Sequence, residues 1–147
     1  MPLTPEERLA AFEKHFASIV DDSHRVFSDS ILAMSYAIHE DMIQAGFWDD
    51  LHKAEILLNE AGIDAMPYIV QSRIALIMSE LGEAVEGNRK HAADDHLPQF
   101  DSLTVELADA IIRILDLAGH YSLPLGEALI AKCEYNMSRP HKHGKNS

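Results

Sequence analysis

Apolar residues recur at three- and four-residue steps through most of the chain, the period of helices that each bury one face. Leu9, Phe12, Phe16 and Ile19 predict an amphipathic helix over residues 5–20, opened by Thr4 and Pro5. Ile31, Met34 or Ala37, Ile38 and Met42 line one side of a second helix over about 28–45, stopped by Gly46 and followed by an exposed-looking Phe47-Trp48. A short helix over 50–61 ends at Gly62, and Pro67 opens a long one to about residue 90, weakening at Gly87-Asn88. The polar stretch 91–99, with Pro98, reads as a loop. Asp101 or Ser102 then caps a helix to about 118 that ends near Gly119, and a last helix over about 125–138 is stopped by Pro140. With no alternating strand pattern, repeat or low-complexity block, the expected fold is all-α: one domain over 1–147, a bundle of about five to six helices. Residues 1–27 would form the N-terminal helix and linker, and 140–147 a basic, polar tail.

Composition narrows the function classes. A chain of 147 residues, 47% hydrophobic, can bury one substantial core. A formal charge of -12 repels a phosphate backbone, which argues against stable nucleic-acid binding. Free nucleotides remain open, because a divalent cation neutralises an acidic pocket and a triphosphate together. Cys133 stands alone, so no internal disulfide or CxxC motif forms, and a reducing cytoplasm fits. The N-terminal MPLTPEERLAAFEKHF is too charged for a signal peptide, and no stretch reaches the ~20 apolar residues of a membrane span, so a soluble protein with no membrane association is expected.

Carboxylates at i and i+3 share a helical face and can flank a metal, but the spacing alone says little. With 24 acids in 147 residues, chance gives roughly four such pairs, and the chain has three: Glu80/Glu83, Glu83/Glu86 and Glu106/Asp109. The setting says more. At about 100° per residue, Ser102, Glu106, Asp109, Arg113 and Asp116 fall in one narrow stripe of a helix that is otherwise apolar and expected to be buried on several sides. Buried carboxylates need a cation, hydrogen bonds or a wet cleft. Glu80 projects beside Leu76, Ile77 and Ala84, Glu83 lies about 60° away, and Glu86 points toward solvent. Two helices each offering two inward carboxylates would suit two divalent cations. The alternative is a solvated Glu80/Glu83 pair and a salt-bridge ladder through Glu106, Asp109, Arg113 and Asp116.

Ser79-Glu80-Leu81-Gly82-Glu83-Ala84, then Glu106-Leu107-Ala108-Asp109 after a spacer of 22 residues between Glu83 and Glu106, resemble the ExxE and ExxD motifs of MazG-like nucleotide pyrophosphohydrolases. The resemblance runs from Tyr36 to Lys145 and takes in His39, Gly46-Phe47-Trp48-Asp49, Lys132, Asn136, Arg139-Pro140 and His143-Gly144-Lys145. It departs at Ser79, where many relatives carry another Glu, which would weaken one metal position or put a water in place of a ligand. The resemblance implies an all-α homodimer or homotetramer that cleaves a nucleoside triphosphate to monophosphate and pyrophosphate. Glu80, Glu83, Glu106 and Asp109 would hold magnesium, with manganese as a substitute, and a metal-activated water would attack the α-phosphorus. Magnesium prefers oxygen ligands and bridges phosphates, so an all-carboxylate set suits it.

Lys132, Asn136 and Arg139 lie at i, i+4 and i+7 and can present donors to phosphates, or simply cap a solvated helix end. Lys90 could reach phosphate or stay exposed, and Trp48 could stack on a base or pack in the core. Nine histidines are scattered without an HExxH or ExxH motif, which disfavours zinc and ferritin-like di-iron sites. The competing class is a non-catalytic helical nucleotide-sensing or interaction module, which Ser79 keeps open.

Overall fold

A computed structural model describes Glu7, Ala10 and residues 23–139 of the chain. Five α-helices and no strand occur among them: α1 Ser23–Gln44, α2 Asp49–Glu60, α3 Met66–Lys90, α4 Ser102–His120 and α5 Leu125–Ser138. The all-α expectation holds for these residues. Of the predicted N-terminal helix, Glu7 and Ala10 are helical and the rest lies outside the described residues, as does the tail beyond Arg139.

The chain divides into two compact units, Met1–Ala33 with Pro124–Ser147, and Met34–Leu123. The first contains the opening of α1 and all of α5. A Cβ on Gly126 would stand 2.7 Å from the Ser28 Cα, so α5 meets α1 at close range there. α1 extends back past the expected start at Ser28, which is a small packing residue within the helix, and Ser30 Oγ donates back to the Val26 carbonyl at 2.6 Å.

The second unit holds the rest of α1 with α2, α3 and α4. Gly46 and Gly62 take positive φ (82° and 75°) where α1 and α2 stop. α3 and α4 pack along each other, with Gly87 against Ser102 and Glu80 against Arg113, so the two run antiparallel. Gly87 does not weaken α3; it lets α4 begin against α3, since a Cβ there would stand 2.9 Å from the Ser102 Cβ. α4 ends at His120, beside the expected stop at Gly119, and Gly119 also has a packing role, because any side chain there would strike the Ser35 carbonyl and the His39 Cβ of α1. The core is built on Trp48, Ala65 and Ile69, with Met42, Ile43, Leu51, Leu58 and Tyr121 packed around them.

One expectation fails within the single chain. α4 was expected to be buried on several sides, yet Leu107, Ile111, Ile112 and Ile114 are exposed. On α3, Ile74, Met78, Leu81 and Val85 form a stripe at 4-3-4 spacing that is also exposed, Met78 to 66% and Val85 to 70%. The apolar pattern reported burial correctly as a tendency, but no described residue of this chain covers these faces. Among the described residues no helix is long and apolar enough to cross a membrane.

Candidate metal centre

Antiparallel packing of α3 and α4 sets the acidic turn of one opposite the acidic turn of the other. The start of α4 is fixed by Asp101, whose carboxylate accepts from Thr104 N at 2.7 Å, and this hydrogen bond holds Asp101 below the usual carboxylate range. Glu106 then falls within reach of Glu80 and Glu83. One carboxylate oxygen from each of the three lies within 4.8 Å of the others. Glu80 is buried, Glu106 half-buried and Glu83 exposed, so the group grades from floor to mouth of a cleft of about 930 Å3.

Asp109 lines the same cleft but stands outside the close trio. The expected quartet is therefore three clustered carboxylates plus one neighbour, and Glu80/Glu83 is the pair wholly inside the cluster. Lys90 also lines the cleft; its ammonium is 3.1 Å from Glu86. Arg89 grips the same Glu86 through Nε at 2.8 Å and Nη2 at 2.7 Å, and these bonds hold its carboxyl down to about 2. Glu86 is thus already compensated.

Charge in the cleft is visible in its carboxyls. Burial first, then Glu83, Glu80, Asp109 and Asp94, push Glu106 above the ordinary value of 4.5. Burial, Glu80 and Asp94 raise Asp109 above 3.8 against the lowering effect of Arg113. Asp94 belongs to the loop before α4, where its Oδ1 accepts from His96 N at 2.9 Å and Leu97 N at 2.7 Å. Sequence reasoning missed it, since an isolated acid in a polar loop carries no periodic signal.

A raised carboxyl binds more protons in the folded than in the unfolded state at pH values between the two pKa values, so stability falls as pH rises through that window. Glu106 and Asp109 contribute nothing below their ordinary values and destabilise above their raised ones. In chelator the wild type should therefore lose stability relative to Glu106→Gln as pH rises from 4.5 toward neutral, and excess magnesium should narrow that difference; comparing the two proteins cancels the opposite trend of His120, whose imidazole is held below its ordinary value by burial. Melts of both proteins in chelator and in magnesium across this range check it; a difference that does not grow toward neutral pH contradicts it. Acidification below that window works the other way, because Glu86 and Asp101 are held low.

The rest of the polar stripe also finds partners, but across helices and not along α4. Arg113 donates to Glu80 Oε1 from Nε at 2.5 Å and also from Nη2. Asp116, 1% exposed, accepts from Trp48 Nε1 at 2.9 Å and from His39 Nδ1 at 2.8 Å. The ladder within one helix is not formed.

This contradicts the base-stacking role for Trp48. Its ring is 0% exposed, with the Arg73 guanidinium 3.9 Å from its centroid and His120 stacked at 4.1 Å, so no face is open to a base. Lys132, Asn136 and Arg139 belong to the first unit, where Lys132 Nζ and Arg139 Cζ lie 4.7 and 5.6 Å from the Tyr135 ring.

The trio fits magnesium by its donor chemistry: three carboxylate oxygens, no nitrogen or sulfur, converging on one point beside open space for water or phosphate. Comparison with protein-family profiles, curated proteins and solved structures finds no match to this chain.

Proposed function

We propose that this chain is a magnesium-dependent nucleoside triphosphate pyrophosphohydrolase of the MazG-like kind, working in the cytoplasm and cleaving NTP or dNTP to monophosphate and pyrophosphate. The observation that carries the reading is the convergence of Glu80, Glu83 and Glu106 in a cleft large enough for a nucleotide's phosphates. Burial, and then the charges of Glu83 and Glu80, raise the Glu106 carboxyl, and a cation is the natural partner for such a group.

Glu80, Glu83 and Glu106 would hold magnesium, or manganese in its place, and the ion would supply charge neutralisation for the triphosphate and a more acidic water for attack at the α-phosphorus. Asp109 lies in the cleft outside the trio with a raised carboxyl, which suits it to accept a proton through its Oδ atoms. Lys90 is placed on the cleft wall to exchange Glu86 for a phosphate oxygen. A phosphate-binding role for Lys132, Asn136 and Arg139 rests on the resemblance and on their spacing along one helix face.

The assay is product resolution after incubation with a nucleotide panel and magnesium. Monophosphate with pyrophosphate is expected. Diphosphate with orthophosphate would place the cut at another bond, and binding without products would make the chain a nucleotide sensor.

The same reading takes the chain as a homodimer or homotetramer, supported by the uncovered stripes of α3 and α4. Wild type should elute with a dimeric or tetrameric mass by light scattering, and Met78→Glu with Ile111→Glu should reduce it to one chain. A wild-type monomer, or an assembly indifferent to both charges, contradicts that part.

A further inference from the structure

We infer that Arg113 is a positioning residue that reserves one oxygen of Glu80 and thereby sets how strongly the carboxylate trio binds a divalent cation; this rests on the metal-centre reading above. Two nitrogens of the guanidinium, Nε and Nη2, converge on the same atom, Glu80 Oε1. Oε2 receives neither. Glu80 is thus held in one orientation with a single oxygen left for a cation, and a bidentate grip on the ion is closed to it.

The pairing is also the main local counter-charge. Among the described residues Arg113 is the one cation paired to a member of the trio, whereas Arg89 and Lys90 are engaged with Glu86. An arginine keeps its charge throughout the accessible pH range, so this opposition to a cation is permanent. Arg113 itself lines the cleft, with its side chain 27% exposed. A cation seated on Glu80 therefore sits within a few ångströms of a fixed positive charge. The centre gives up cation affinity in return for one defined Glu80 geometry.

The ordinary alternative is a cross-link that merely joins α3 to α4. The two roles differ in sign. If Arg113 were only a brace, its removal would loosen the floor of the cleft and weaken cation binding and turnover together. As a positioning charge, its removal strengthens binding while turnover falls, because Glu80 becomes free to close around the ion in an unproductive way.

The test measures Mn2+ binding to the nucleotide-free protein, by the loss of the free-ion electron paramagnetic resonance signal, alongside kcat. Arg113→Gln should bind Mn2+ about tenfold tighter or better, the scale expected for removing a unit charge a few ångströms from a divalent ion near water. Its kcat should fall by about 10- to 100-fold, the usual cost of losing a residue that orients a ligand. Arg113→Lys keeps the charge and loses the fork, so its Mn2+ affinity should stay close to wild type while kcat still drops.

Glu80 is left bare in Arg113→Gln, a burial cost that works against folding; the comparison is therefore repeated in an E80Q background, where no buried carboxylate is orphaned. There E80Q/R113Q should bind Mn2+ more tightly than E80Q. Unchanged or weaker affinity on removal of Arg113 overturns the proposal, while the metal centre stands. Wild-type protein that takes up no Mn2+ overturns the metal centre itself.

Discussion

Glu106→Gln should abolish turnover while making the metal-free protein more stable. The two effects have one cause. Glu106 is pushed up by burial and by Glu83, Glu80, Asp109 and Asp94, so its ionised form works against folding at neutral pH. Gln keeps the shape and removes the charge, which relieves that repulsion and raises the melting temperature in chelator. The same change takes one of three converging oxygens' charges from the cation. Metal stabilisation of a transition state is worth several kcal/mol, so kcat/KM should fall by about a thousandfold or more. A melting curve in chelator and a rate assay in magnesium check both halves. Loss of activity accompanied by loss of stability would mean Glu106 is structural; retained activity would remove it from the site.

Asp116→Ala should cost about 3–5 kcal/mol of stability, the range for removing one partner of a buried charged network. Asp116 is 1% exposed and accepts hydrogen bonds from Trp48 Nε1 and His39 Nδ1, tying α4 to α1 and to the turn before α2. Without it the buried indole N–H and the half-buried His39 N–H lose their acceptor, and Arg73, 5% exposed and already lowered by desolvation, loses the nearby negative charge that favours its protonated form. Asp116→Asn retains an acceptor and should cost less. Urea titrations of the two variants measure this, and a near-neutral Asp116→Ala would show that the cluster is not what holds α1 to α4.

The polar stripe of α4 was legible because a helix places every residue by angle alone, so Glu106, Asp109, Arg113 and Asp116 could be put on one face of an otherwise apolar helix. Their partners were not legible. Arg113 meets Glu80, 33 positions away, and Asp116 meets His39, 77 positions away, and no local period encodes such pairings. Trp48 was ambiguous for the same reason, since a Trp after a helix-stopping glycine reads alike whether it faces solvent or, as here, three histidines and an arginine. Gly119 carried two messages of which one was legible: it stands one residue before the end of α4, as a glycine closing an apolar run signals, and it also marks a helix crossing, which no local pattern encodes. Exposure of Ile111 and Val85 marks another limit, because an apolar face records that burial is favoured and not which chain supplies it.

Solvent labelling tests the central claim most directly. The wild-type protein is incubated with a nucleoside triphosphate and magnesium in water enriched in oxygen-18, and the products are weighed by mass spectrometry. A centre built on Glu80, Glu83 and Glu106 that directs water to the α-phosphorus predicts one heavy oxygen in the monophosphate, none in the pyrophosphate, and no reaction in chelator. Label in the pyrophosphate, or the same products without any divalent cation, would contradict it.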